Sequence, residues 1–160
     1  KEADMEAVAV GRAQRVKLGI PETAALDPRL GYELGRLRVF SFITERQYEA
    51  GVRYADDMAN YYSLTGIPFP SARVQNLVDN LGGSSGDDSE SRADAARKAS
   101  IRMNQLRNHL LATDDIATGR NVYRVVTEVA VLDYGCMTHH QRWLRRGLNR
   151  LAAFYQLPVE

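Results

Sequence analysis

The segment from residue 44 to residue 65 constrains the fold most, because it combines a helix start signal with a helical apolar repeat. Thr44 and Gln47 are spaced as a capping box, in which each side chain satisfies a backbone N–H group that the helix leaves without a partner. Apolar residues then recur in steps of 4, 3, 4 and 3 positions, at Tyr48, Val52, Ala55, Ala59 and Tyr62. This spacing places them on one side of a helix. We therefore predict an amphipathic helix that ends at Gly66 and the prolines after it.

Similar signals divide most of the remaining chain into helices. Asp27 can cap a helix that has Pro28 at its first position and runs to about residue 38. Further helices are predicted at 3–18, at 74–81, from Ser91 with Asp94 as its capping partner, and from Thr138, which can cap the last one. Residues 121–134 fit both a strand and a helix, and we predict a helix because no second strand-like segment is available to pair with it. The sequence therefore predicts an all-α bundle of about six helices.

Composition and charge divide the chain into three parts. Residues 1–81 form an acidic helical region, 82–92 a Gly/Ser/Asp linker that we expect to be flexible, and 93–160 a basic helical region. Up to residue 91 there are 10 Lys and Arg against 14 Asp and Glu, whereas the rest of the chain has 11 against 6. The net charges are thus −4 and +5. Such asymmetry predicts that the basic half contacts a polyanion or docks on the acidic half of a neighbour.

Several classes of function are disfavoured by the sequence. Uninterrupted apolar runs such as Val129–Leu132 have only four or five residues, which is too short for a membrane span. Cys136, His139 and His140 supply at most three zinc ligands, so we predict no metal and no cofactor. The sequence has neither a Gly-x-Ser-x-Gly nucleophile motif nor a Gly-rich phosphate loop, which predicts a non-enzymatic protein. A charged opening stretch and a single thiol favour the cytoplasm.

The candidate site lies in the last predicted helix. Four arginines and an asparagine fall within nine residues there: Arg142, Arg145, Arg146, Asn149 and Arg150. Guanidinium groups bind phosphate oxygens through paired hydrogen bonds, so this set predicts a nucleic-acid-binding strip with double-stranded DNA as the expected partner. Arginines of other predicted helices are additional candidates: Arg102, Arg107, Arg46 and Arg53. The alternative is a solvated helix whose arginines pair with the acidic half of the same chain.

Two further features concern helix contacts. Gly147 interrupts the arginine-rich helix and predicts the close approach of another helix, in the same chain or in another subunit. Residues 28–64, two helices joined by a short turn, are a candidate helix-turn-helix in which residues 44–53 form the recognition helix. Glu45 and Glu49 argue against this interpretation, because they place negative charge at the front of that helix.

Two stretches resemble a known group of proteins. Residues 34–37, Leu-Gly-Arg-Leu, and then Ile43–Tyr54 with its Gln-Tyr-Glu-Ala resemble the front of small phage and prophage proteins of alphaproteobacteria. Residues 143–151, followed by Phe154 and Tyr155, resemble the closing helix of the same proteins. The resemblance implies a viral or mobile-element setting, where small helical proteins serve DNA packaging, late-gene regulation or particle assembly. It implies no catalytic residue.

These features lead to two expectations for function. The first is a DNA-associated, phage-type protein that binds phosphate through its C-terminal arginine-rich helix, as a small terminase-like packaging subunit or a transcription regulator. The second is a non-enzymatic protein-binding or assembly component, whose arginines meet an acidic surface on a partner or a sister subunit. In both, we expect the protein to form an oligomer or to bind another protein through apolar helix faces.

Overall fold

The protein is built from α-helices throughout the part of the chain that the structure describes. The computed structural model describes the backbone of residues 27–81 and 89–160, and their side chains except for residues 89 and 90. Six α-helices lie in these ranges: α1 Glu33–Val39, α2 Glu45–Thr65, α3 Ala72–Asn80, α4 Ser89–Leu111, α5 Ile116–Ala130 and α6 Gln141–Phe154. The predicted all-α fold is thereby confirmed. The helix predicted at 3–18 lies outside the described residues.

The second predicted helix is split in two at Tyr32. Asp27 does cap its start, because its side chain accepts a backbone hydrogen bond two residues later at 2.9 Å, and Pro28 begins the first turn. That turn is a short 3₁₀ helix, after which Tyr32 is extended, with φ −145° and ψ 157°. Helix α1 then begins at Glu33, whose backbone N–H donates to Asp133 Oδ1 at 2.8 Å. The prediction of one continuous helix is wrong, because a carboxylate remote in sequence starts a new one.

Helix α2 lies at the centre of the bundle. Its capping box is present as predicted, since Gln47 N donates to Thr44 Oγ1 at 3.2 Å and Thr44 N donates to Gln47 Oε1 at 2.9 Å. Helices α4 and α6 pack along it, so its buried side is wider than one stripe. The residues that it buries are Gln47, Ala50, Gly51, Tyr54, Ala55, Met58 and Ala59. Of the predicted stripe, Ala55 and Ala59 are fully buried, and the other members are partly buried and pack against the core: Tyr48, Val52 and Tyr62.

The valine-rich segment forms the buried helix α5, as predicted for residues 121–130. Helix α6 packs against it at Gly147. A Cβ atom at this position would lie 2.3 Å from Val126 Cγ2 and 2.8 Å from Val122 Cγ1. Only glycine allows the two helices to come this close. The helix that approaches Gly147 therefore belongs to the same chain.

The starts of α4 and α6 differ from the predictions. Helix α4 begins at Ser89, so Ser91 does not cap it, and Asp94 lies inside the helix, where it pairs with basic side chains of the following turn. Thr138 begins a 3₁₀ turn instead of capping α6, which starts at Gln141 without a side-chain cap. The chain reaches α6 with a backbone that is already helical, so no extended capping residue forms there.

The acidic and basic regions share one hydrophobic core. Leu34 and Tyr54 from the first region are buried together with Leu106 and Leu148 from the second. Of the predicted linker, residues 89–92 belong to α4, and the others lie outside the described residues. Within the described ranges, no helix combines the length and the apolar character that crossing a bilayer requires.

Candidate nucleic-acid interface

Helix α6 presents three of the predicted arginines on its outer side. Its inner side is fixed against the core by Leu144, Gly147, Leu148, Leu151 and Ala152. At 3.6 residues per turn, residues 142, 145 and 146 then point away from the core. Arg142, Arg145 and Arg146 are all exposed. We call these three residues the arginine face.

One border of the arginine face is the turn between α1 and α2. Arg145 Nε donates to the backbone carbonyl of Phe42 at 2.8 Å. Phe40 and Phe42 are each 45% exposed in this turn. Among the described residues, no carboxylate lies within 4.0 Å of Arg142 or Arg145. Because a carbonyl carries no net charge, the positive charge of Arg145 remains uncompensated.

The other border is the turn between α4 and α5. Arg146 Nη1 donates to the carboxylate of Asp114 in this turn, and both side chains are more than half exposed. Water competes with such an exposed ion pair, which therefore contributes only about 0–1 kcal/mol. Asp114 thus lowers the charge of the arginine face but leaves Arg146 able to exchange its partner for another anion.

A cleft of about 460 Å³ opens between α5 and α6 beside the arginine face. Its lining residues are Ala117, Thr118, Asn121, Arg142, Trp143 and Arg146. The guanidinium carbon of Arg142 lies 4.6 Å from the centre of the Trp143 ring, in a cation–π contact. Two of the three residues of the arginine face therefore line a concave polar site.

Asn149 is exposed and Arg150 is half-buried, and both hydrogen-bond to other helices. Arg150 Nη2 donates to the backbone carbonyl of His109 at 3.1 Å, and His109 Nε2 donates to that of Arg150 at 3.0 Å. Arg150 Nε is buried and has no hydrogen-bond partner among the described residues. Asn149 Oδ1 accepts from Gln47 Nε2 at 3.1 Å. These two side chains connect α6 to α4 and α2, and so they stabilise the bundle.

Arg150→Ala should lower the stability of the protein and change its affinity for DNA little. Arg142→Ala should instead lower the affinity for DNA and change the stability little. The hydrogen bond from the Arg150 guanidinium contributes about 1.5–3 kcal/mol, and about 1 kcal/mol lowers Tm by roughly 2–4 °C in a chain of this size. Thermal unfolding followed by circular dichroism, together with titration of a labelled duplex, measures both effects. If the Arg150 variant melts like the wild type but binds DNA more weakly, Arg150 contacts DNA and this prediction is wrong.

The four additional candidate arginines are dispersed over the bundle. Arg102 and Arg53 each pair with a carboxylate, at 3.0 and 2.9 Å. Arg46 Nε donates to a backbone carbonyl at 3.3 Å. Arg107 is exposed and lies over the Tyr123 ring at 5.8 Å, without a carboxylate within 4.0 Å in the described residues. None of the four lines the cleft.

Sequence analysis missed the basic side of α5. Arg120 and Arg124 are exposed, and Arg124 Nη2 donates to Asn121 Oδ1 in the cleft wall at 3.3 Å. Desolvation lowers the pKa of His140, and the charges of His139 and Arg124 lower it further. The i,i+4 spacing of the two α5 arginines was a usable signal, because it places them on the same side of that helix.

Cys136, His139 and His140, for which we predict no metal, lie near one another in sequence. Among the described residues, no group of three His, Cys, Asp or Glu side chains is placed to hold a metal ion. Cys136 is half-buried, and burial raises the pKa of its thiol to about 11. Burial thus keeps this thiol protonated at neutral pH. The rings of His139 and His140 contact each other, with centroids 4.2 Å apart.

No family of known proteins, no curated protein and no solved structure matches this chain. A function is therefore inferred from the arginine face, the cleft and the chemistry of their side chains.

Proposed function

We propose that the protein is a non-enzymatic DNA-binding protein that contacts the phosphate backbone of duplex DNA with the arginine face. The observation that supports this most is the exposure of Arg142, Arg145 and Arg146 together on one side of α6. Arginine binds phosphate through paired hydrogen bonds and keeps its charge at any physiological pH. Arg124 extends the same positive charge onto α5.

The near-neutral chain favours modest, salt-sensitive binding. The formal net charge is +1, so attraction to DNA comes from the local charge of the arginine face and not from the molecule as a whole. We propose that the protein acts as an oligomer, which repeats the arginine face and raises the apparent affinity through multivalency. The resemblance to small phage and prophage proteins supports a role in DNA packaging, late-gene regulation or particle assembly.

The contacts of α2 favour α6 as the DNA-binding helix over the candidate helix-turn-helix. At the front of α2, Glu45 pairs with Arg38 at 2.6 Å. The backbone N–H of Arg46 donates to Glu160 at 3.0 Å. Gln47 is buried and bonds to α6. The first turn of α2 is therefore engaged within the molecule, whereas a recognition helix needs this turn free to reach base edges.

Exchanging Asp114 for Asn should tighten duplex binding by about 2- to 5-fold at low salt. The substitution removes a negative charge beside the bound phosphate, and it frees Arg146 from an ion pair that contributes only about 0–1 kcal/mol. Asp114 has a φ of 54°, which Asn tolerates well, so the turn should persist. Fluorescence anisotropy of a labelled duplex measures the change.

The matched control is Asp79→Asn, which makes the same change in net charge at an exposed position of α3. It should leave the affinity near that of the wild type. Equal tightening by both variants would show that net charge, and not the arginine face, controls the affinity.

A second candidate function is protein binding or particle assembly, favoured by the exposed aromatic pair Phe40 and Phe42 next to Arg145. An aromatic pair bordered by an arginine is the composition typical of the core of a protein interface. Sedimentation without DNA tests this role. Salt-sensitive self-association that is lost in Phe42→Ser, combined with no duplex binding, would favour assembly over DNA binding.

A further inference from the structure

The cleft between α5 and α6 is larger than phosphate contact requires. Its volume of about 460 Å³ falls within the range of roughly 300–1,000 Å³ that is typical of small-molecule sites. Exposed guanidinium groups at the surface are enough to bind a phosphate group, so phosphate binding does not require a cleft of this volume. Resting on the proposed function, we propose that the cleft receives one unpaired nucleobase of the bound nucleic acid while the arginine face holds the adjoining phosphates.

The Arg142–Trp143 pair provides a stacking surface for such a base. The guanidinium carbon of Arg142 lies 4.6 Å from the centre of the Trp143 ring, and the Arg142 side chain is exposed. The Trp143 ring also contacts His140, with centroids 5.4 Å apart, which holds the indole in place. Guanidinium planes and aromatic rings are the two surfaces on which proteins stack unpaired bases. A base could therefore pack against the exposed guanidinium of Arg142 or against the edge of Trp143 that lines the cleft.

Asn121 supplies a polar group on the opposite wall. Its Oδ1 accepts from Arg124, which orients the amide and leaves Nδ2 without a hydrogen-bond partner among the described residues. This N–H₂ group can donate to the acceptor atoms on the edge of a base. Arg146 lies at the same cleft and can bind a phosphate next to the base. The cleft thus combines a stacking surface, a donor for a base edge and a phosphate ligand.

An unpaired base fits this arrangement better than a paired one. Bases inside a duplex have both faces covered by their neighbours, so they cannot stack on Arg142 without leaving the helix. The inference is therefore that an unpaired base in the cleft adds affinity beyond that of the phosphate contacts alone.

The chain contains one tryptophan, Trp143, so its fluorescence reports on the cleft alone. We would titrate the full chain with single-stranded oligo(dT) and with an abasic oligomer of the same length, which keeps every phosphate and lacks every base. We expect saturable quenching of Trp143 by oligo(dT) only, and an affinity for it that is roughly 5- to 100-fold higher, the gain that base stacking provides. Asn121→Ala should weaken binding of oligo(dT) more than it weakens binding of the abasic oligomer, because only the first ligand carries a base for Asn121 Nδ2 to bind.

The outcomes separate this inference from the proposed function. Equal affinity and equal quenching with the two oligomers would overturn the base-binding inference, while salt-dependent binding of both would still support phosphate contact. Binding of neither oligomer, and of no duplex, would overturn both. The comparison of the two oligomers uses the unaltered protein, so it remains decisive whatever the stability of the Asn121 variant.

Discussion

Replacing Arg142, Arg145 and Arg146 together with Gln should weaken binding of duplex DNA by about 10- to 100-fold at low salt. Each arginine that contacts a phosphate releases a counterion, so the slope of log affinity against log salt should also flatten by about 2 to 3. Gln keeps most of the length of the side chain and is nearly as good a helix former as Arg. Because all three residues are exposed, the melting temperature should change little. Anisotropy titrations at several salt concentrations measure both the affinity and the slope.

The matched control removes three positive charges from the exposed first half of α4. Arg92, Arg97 and Lys98 are all exposed and none of them lines the cleft. Their combined exchange for Gln changes the net charge equally, but should alter the affinity much less. If the two triple variants lose the same affinity, binding follows total charge and the arginine face has no special role. If the variant of the arginine face binds like the wild type, the proposed function is contradicted.

Exchanging Gly147 for Leu should destabilise the protein by about 3 kcal/mol or more, because even the first added carbon would overlap Val126 and Val122. Both valines are fully buried and, being β-branched, have little rotamer freedom with which to move away. For a chain of this size the melting temperature should fall by roughly 6–12 °C. Thermal or urea unfolding measures the change.

A double-mutant cycle separates overpacking from other effects of the substitution. Gly147→Ala and Val126→Ala should each destabilise, the first by overlap and the second by leaving a cavity. Combined, the new methyl group occupies space that the valine vacates, so the loss should be smaller than the sum by about 0.5–3 kcal/mol. Simple additivity would show that α5 and α6 do not meet at this position as described.

Local signals were sufficient to predict most of the helices. The capping box at Thr44 and Gln47 is formed by residues three positions apart, so the local sequence alone predicts its hydrogen bonds. The same holds for Asp27, which caps a turn that begins with the next residue. For the valine-rich segment, the lack of a pairing strand was the deciding argument, and α5 is the result. Short-range hydrogen bonds of this kind need no knowledge of the rest of the fold.

Contacts between remote residues explain what the sequence could not predict. The break at Tyr32 depends on Asp133, whose carboxylate accepts from the backbone N–H of Glu33 across the bundle. Nothing near residue 32 indicates this partner. The extended backbone there also allows Tyr32 to stack with Arg73, whose guanidinium carbon lies 3.8 Å from the ring centre.

At the candidate site, too, local sequence could not predict contacts with residues that are remote in sequence. Spacing on α6 was enough to predict that Arg142, Arg145 and Arg146 share an exposed side, because the apolar residues between them must face the core. Spacing did not reveal that Arg150 would bond to the backbone of His109, since this depends on where α4 crosses α6. The cleft was equally beyond prediction, because α5 supplies half of its lining.

The salt dependence of duplex binding by the unaltered protein tests the central claim most directly. If the arginine face holds the phosphate backbone, log affinity should fall linearly with log salt, with a slope of about −2 to −3 for each protomer bound. Absence of duplex binding at low salt, or an affinity that salt leaves unchanged, would contradict the account.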